Sequence, residues 1–79
     1  TKYFAAYMAP NNIRVNCISP GGIFNNQDKE FVKKYSNKVP VGRMGNSDDL
    51  LSALEYLISN NSSYVTGQNI IIDGGFTSW

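Results

Sequence analysis

The hydrophobic pattern divides this 79-residue chain into alternating helical and extended stretches. Tyr3, Phe4, Tyr7 and Met8 recur at helical spacing until Pro10-Asn11-Asn12 ends the run. A helix this short does not sustain itself in water. It reads as the tail of a longer helix that starts upstream of Thr1. Ile13 to Ile18 follows as an apolar, β-branched strand with little polar alternation, the pattern of a strand covered on both faces. It stops at Pro20-Gly21-Gly22. After Ile23-Phe24-Asn25-Asn26-Gln27, a short helix is predicted from Asp28 to about Tyr35. Phe31, Val32 and Tyr35 give that helix an apolar side, and Glu30 and Lys34 pair one turn apart on the other.

Val39 to Gly45 is an extended, glycine-punctuated link. Asn46 then reads as a helix N-cap, with Ser47, Asp48 and Asp49 filling the first turn, where acidic groups complement the positive end of the helix. Leu50, Leu51, Leu54, Leu57 and Ile58 form a helical stripe, the strongest periodic signal in the chain. Asn60-Asn61-Ser62-Ser63 ends it. Gln68 to Ile72 forms the last strand, which Asp73-Gly74-Gly75 halts because glycine accepts the backbone angles of a turn. A strand, crossover helix and strand within one unit imply parallel pairing and a right-handed crossover. Two strands cannot cover their own faces, so the rest of the sheet is expected from residues that precede Thr1. The fold class is α/β: helix end, strand, short helix, helix, strand.

Composition narrows the function. At this length the chain holds one domain at most and a marginal core. A net charge of +1 gives no long-range field for nucleic acid or an anionic membrane. Lys29, Lys33, Lys34, Lys38 and Arg43 outnumber Glu30 locally, which reads first as a solvated helix face and second as an anion site. Cys17 is the single cysteine, so no internal disulfide forms, and a reducing, cytoplasmic setting is expected. Between apolar neighbours it reads as a small buried core residue. The absence of histidine removes the usual general base, and no metal site is expected. Asn61-Ser62-Ser63 matches a glycosylation triplet but reads as a turn.

The motifs are more specific than the composition. Ala9-Pro10, Ile13-Arg14-Val15-Asn16 and Pro20-Gly21 come first, then Val41-Gly42-Arg43-Met44-Gly45, Tyr64-Val65-Thr66-Gly67-Gln68 and Asp73-Gly74-Gly75. In this order and spacing they resemble the last third of the short-chain dehydrogenase/reductase family, along essentially the whole chain. The resemblance implies the C-terminal part of a Rossmann-like, doubly wound parallel sheet, with residues 1–79 one portion of a single NAD(P)-binding domain. The cofactor-binding and catalytic portion is expected upstream. None of Tyr3, Tyr7, Tyr35, Tyr56 and Tyr64 has a lysine four positions later, and no glycine-rich dinucleotide fingerprint occurs. No catalytic residue is therefore assigned. Asn16 reads as a structural residue that ties down nearby backbone, and Arg43 as a partner in a surface salt bridge.

Open α/β sheets hold ligands at the carboxyl ends of their strands, which is where Pro20-Gly21-Gly22 lies. The resemblance implies that this segment forms the floor beneath the nicotinamide of NAD or NADP, that the backbone of Ile23 holds its carboxamide, and that Asn25 stands where the family has a threonine. The other reading of Pro20-Gly21-Gly22 is a tight turn. On the first reading a Gly21→Val change weakens cofactor binding more than it disturbs the fold. Phe24, Asn26 and Gln27 lead to the substrate. One aromatic wall beside three amides suits a hydroxylated ligand, the other reading being a polar loop with no ligand role. Together with Phe31, Tyr35-Ser36 and the Gly75–Trp79 tail, the loop is similar to reductases of flagellin-modification and sugar pathways. The helical stripe, last strand, Phe76 and Trp79 are expected to form a homodimer or homotetramer interface. The alternative for the stripe is internal core, and the alternative for the chain is a non-catalytic self-association module. An accessory nucleotide-binding role is disfavoured without phosphate-cradling glycines. Fluorescence titration of the isolated 79-residue chain with NADH and NADPH should show no saturable binding. Micromolar binding would contradict this assignment.

Overall fold

The computed structural model describes residues 1–79. Helix α1 (Lys2–Met8) runs into a 3-10 turn (Ala9–Asn11), followed by strand β1 (Cys17–Pro20), helix α2 (Lys29–Asn37) and helix α3 (Asp48–Ile58). A second 3-10 turn (Asn60–Ser62), strand β2 (Asn69–Ile72) and a third 3-10 turn (Phe76–Ser78) complete the chain. Its radius of gyration is 15.5 Å, against about 12 Å for a compact domain of this length. The shape is elongated, and Ala5, Val39, Met44 and Leu57 are the only buried apolar residues. Much of the apolar surface that the sequence supplies stays exposed.

The strands pair in parallel, as expected, with Cys17 opposite Asn69 and Pro20 opposite Ile72. The first strand is shorter than Ile13 to Ile18 and displaced toward the loop. Side chains explain the difference. Val15 N–H donates to Thr66 Oγ1 (3.0 Å), Asn16 Nδ2 donates to the Val65 carbonyl (3.1 Å), and Gln68 N–H donates to Asn16 Oδ1 (3.0 Å). These bonds alternate with backbone bonds from Gly67 N–H to the Val15 carbonyl and from Cys17 N–H to the Gln68 carbonyl (2.8 Å each). Regular pairing begins only at Cys17, and Asn16 ties down backbone as predicted. At the other end Gly21 N–H donates to the Ile72 carbonyl at 2.8 Å, so pairing runs through Pro20. Within this chain Ile13 is exposed and Arg14 to Ile18 are half-buried, so the segment expected to be covered on both faces is only partly covered by these residues. In β2, Ile70 and Ile72 are half-buried and Ile71 is 56% exposed. Helix α3 packs on both strands from one side only.

The helix ends follow local chemistry. Asp28 caps α2 by accepting from Phe31 N–H at 2.8 Å, and the helix continues two residues past Tyr35. Glu30 and Lys34 form the predicted pair at 3.2 Å. Before α3, Asn46 Oδ1 accepts from Asp49 N–H (3.2 Å) while Asp49 Oδ2 accepts from Asn46 N–H (2.8 Å). This is a reciprocal capping arrangement that satisfies two orphan donors. Asn46 caps as expected, although regular helix begins at Asp48. Along the stripe Leu57 is buried, while Leu51, Leu54 and Ile58 stay largely exposed.

The far end of α3 is closed by a residue that the sequence did not single out. Arg14, in the segment before β1, donates from Nη2 to the carbonyls of Leu57 (2.6 Å) and Ser59 (3.3 Å), and from Nη1 to that of Val65 (3.1 Å). A guanidinium at a helix C-terminus meets orphan carbonyls and the negative end of the helix dipole together. Ser62, 2% exposed, adds bonds to the Leu57 and Ser59 carbonyls, so the Asn61-Ser62-Ser63 triplet forms a packed turn. Hydrogen bonds from a charged donor contribute about 1.5–3 kcal/mol each, and Arg14 shares its three acceptors with Ser62 and Asn16. Arg14→Met should therefore lower the stability of the intact protein by about 2 kcal/mol, read as an earlier denaturant midpoint. Arg14→Lys should restore only part of this, because one ammonium cannot span three carbonyls in fork geometry. An unchanged midpoint in both variants would refute the anchoring role.

Candidate functional site

Because β1 and β2 are parallel, their exits lie side by side, and Pro20-Gly21-Gly22 meets Asp73-Gly74-Gly75. A Cβ on Gly21 would stand 2.7 Å from Asp73 Cβ and 2.8 Å from Asp73 Cα. This corrects the expected outcome of Gly21→Val. The space that glycine leaves at Gly21 is filled by the end of β2, so a branched side chain strikes backbone and the fold gives way first. A Cβ on Gly22 would run into the ring and hydroxyl of Tyr35. The flat ring against this glycine is thus one of the chain's own. Gly74 and Gly75 have positive φ, 64° and 91°, and sit against Val39 and Pro40.

The loop beyond Gly22 is built from backbone and amides. Gly45 N–H donates to the Gly22 carbonyl (2.9 Å) and Phe24 N–H to the Gly45 carbonyl (2.8 Å), which pins Ile23 beside the Gly42–Gly45 link. Gln27 folds back, accepting from Asn25 N–H at 2.6 Å and donating to the Ile23 carbonyl at 3.2 Å. Asn26 takes a left-handed conformation (φ 58°), which asparagine tolerates. Of the three amides expected to face a hydroxylated ligand, Gln27 is committed to its own loop, and Asn25 and Asn26 are exposed. The Ile23 N–H has no partner within the chain. Phe24, Asn26 and Gln27 share an open groove of about 430 Å³ with Lys29 and Lys33.

The Tyr35 hydroxyl has a partner that the helix pattern did not indicate. It accepts from Gly22 N–H at 2.7 Å. Beside it a cleft of about 180 Å³ is lined by Ile23, Gly45, Arg43, Asp49 and Asp73. Arg43 forms the expected salt bridge, gripping both Asp49 oxygens at 2.8 and 3.1 Å. That guanidinium, helped by the Asn46 N–H, holds the Asp49 carboxyl at about 2, well below its ordinary 3.8. Asp73 is also lowered, chiefly by the Thr77 hydroxyl at 2.7 Å and then by the N–H groups of Gly75 and Thr77. Cys17 is half-buried rather than buried. No cluster of His, Cys, Asp or Glu has the grouping that holds a metal, and no helix is long and apolar enough to cross a membrane.

A sequence model of the family described as enoyl-(acyl carrier protein) reductase matches residues 1–77. A short chain dehydrogenase from Leptospira borgpetersenii, solved with bound NAD+, superposes with a TM-score of 0.93 at 61% identity, over 98% of this chain and 30% of that one. The chain belongs to the short-chain dehydrogenase/reductase family. A 4-hydroxyisoleucine dehydrogenase complexed with NADH matches with a TM-score of 0.92 at 35% identity, over 100% of this chain and 35% of the other. A tropinone reductase homolog of Arabidopsis thaliana is 39% identical over 98% of this chain and 31% of its own length. The chain thus spans about 30% of the length of the curated relatives it matches. Within this family of short-chain dehydrogenases, its parallel strand pair and helices belong to an α/β, Rossmann-type fold.

The Arg43–Asp49 grip has a pH signature. A carboxylate with a depressed pKa adds stability that is fully present above its unfolded value, here 3.8, and is lost as pH falls through the folded value, about 2. Asp49→Asn should therefore flatten the loss of stability between about pH 4 and pH 2. Asp73, depressed in the same direction, should keep a residual slope in that range. Denaturant midpoints across the acid range check this. Identical acid profiles for wild type and Asp49→Asn would refute it.

Proposed function

We propose that residues 1–79 are the C-terminal portion of an NAD(P)-dependent oxidoreductase that interconverts a carbonyl and an alcohol. The observation that carries this reading is the unpartnered Ile23 N–H at the carboxyl end of β1, beside the exposed amide of Asn25. A carboxamide needs a donor and an acceptor in one place. Ile23 offers the donor, and the Asn25 amide can do either, so the residues present fit a nicotinamide. When bound, that group supplies the hydride chemistry. The chain's part is to orient it: Pro20, Gly21 and Gly22 form the floor, and Ile23 and Asn25 fix the rotation of the ring. The NAD+ and NADH in the two solved relatives support NAD(H) as cofactor.

Phe24 and Asn26 form the approach for a hydroxylated small-molecule substrate of the kind met in flagellin-modification and sugar pathways, with Gln27 holding the approach in shape. The proton-transferring residues belong to the rest of the protein. Exposed Leu51, Leu54 and Ile58, together with Trp79 at 81% exposure, support a homodimer or homotetramer interface on the α3 and tail side. The same exposed apolar residues favour the second reading, a self-association module without activity of its own. In the full-length protein, Asn25→Leu should weaken cofactor binding about fivefold, the value of one neutral hydrogen bond. Isothermal titration with NADH and NADPH checks it, and unchanged affinity in this variant would sink the reading of the loop.

A further inference from the structure

Gly22 is held at both of its peptide groups. Its N–H donates to the Tyr35 hydroxyl (2.7 Å) and its carbonyl accepts from Gly45 N–H (2.9 Å). The direction of the next N–H, that of Ile23, is set by this clamp. Glycine is required at this point because the Tyr35 ring fills the position that a Cβ would take. Gly22 and Tyr35 are therefore a matched pair.

The ring of Tyr35 is itself held. It stacks on Phe76 (centroids 5.4 Å apart, planes 13° from parallel) and on Phe31 (6.0 Å, 21°). Phe76 lies on the last 3-10 turn, which Asp73 nucleates. The Asp73 carboxylate accepts from Gly75 N–H, Thr77 N–H and the Thr77 hydroxyl at 2.9, 3.1 and 2.7 Å, and its carbonyl accepts from Phe76 N–H at 3.1 Å. One continuous set of contacts thus runs from the end of the chain to the Gly22 peptide. Stacking alone would be served by phenylalanine at this position. The hydroxyl is needed for the Gly22 N–H, which otherwise has no partner in the chain.

We propose that Tyr35 is a positioning residue that couples the C-terminal tail, through Phe76, to the loop presenting the Ile23 N–H. The inference rests on the reading above, in which that loop holds the nicotinamide. Tyr35 touches neither cofactor nor substrate in this role. It acts through the Gly22 peptide, and Phe76 acts through Tyr35.

The test uses the full-length protein and whichever of NADH or NADPH the wild type binds, titrated by nucleotide fluorescence alongside thermal midpoints. Tyr35→Phe keeps the stack and removes the acceptor, and should weaken binding about fivefold, with a drop in midpoint no larger than the loss of one hydrogen bond to a half-buried N–H entails. Phe76→Ala should weaken it by a similar factor while Tyr35 is present, and should add nothing in the Tyr35→Phe background. Phe76→Leu carries the same comparison if Phe76→Ala does not fold. Independent, multiplicative effects of the two changes would overturn the coupling. Unchanged affinity in Tyr35→Phe, with Asn25→Leu weakened as expected, would overturn this inference alone. Unchanged affinity in Asn25→Leu as well would sink the functional reading beneath it.

Discussion

The close approach of two parallel strand ends constrains everything around the candidate site. Gly21 N–H reaches the Ile72 carbonyl at 2.8 Å, and the Gly21 Cα has no room for a side chain against Asp73. Parallel strands send their following loops out at the same end. The Gly22–Gln27 loop and the Asp73–Trp79 tail are therefore neighbours, although some fifty residues separate them in sequence. Helix α2 returns across the gap between them, and this brings Tyr35 onto Gly22 and against Phe76. Widening that approach by one methyl group would shift the relation between loop and tail.

Polar ties carry much of the geometry here. With four buried apolar residues, the chain is shaped by side chains that bond to backbone: Arg14, Asn16, Thr66, Ser62, Asn46 and Gln27. Such bonds exchange water partners for protein partners and add modest net stability. What they fix is direction, and direction is what a site made of backbone groups needs. The apolar positions left exposed on α1, α3 and β2 take no part in this polar framework.

The features legible in the sequence were those governed by near neighbours or by long periodic runs. Asp28 and Asn46 were readable as caps because their partners lie three residues away. The Glu30–Lys34 pair, the α3 stripe and the turn at Ser62 follow the same logic. Parallel pairing was legible from the strand–helix–strand order. Arg14 was not, because its acceptors lie 43 to 51 residues away and no spacing rule links them. Tyr35 showed as one more apolar helix position, and its hydroxyl gave no local sign of the Gly22 N–H thirteen residues back. The strand boundary moved because the Thr66 hydroxyl accepts from Val15 N–H and the Asn16 amide bonds the Val65 carbonyl and Gln68 N–H across the sheet, which alternation cannot reveal. The close approach of Asp73 to the Gly21 Cα was likewise illegible, because it depends on the end of β2 some fifty residues on.

The pairing of β1 with β2 also bears on how this region assembles. The bond between Gln68 N–H and Asn16 Oδ1 closes a span of 52 residues. Helices α2 and α3, whose bonds are local, can form within that span before it closes, whereas every strand contact must await closure. The entropy lost on closure grows slowly with length, so the span is tolerable at equilibrium but retards the search. Until the strands meet, Ile70, Ile71 and Ile72 are an open, β-prone triplet beside an unpaired edge. Arg14, by reaching α3 and the approach to β2 at once, draws the two halves of the span together at the point where the register begins.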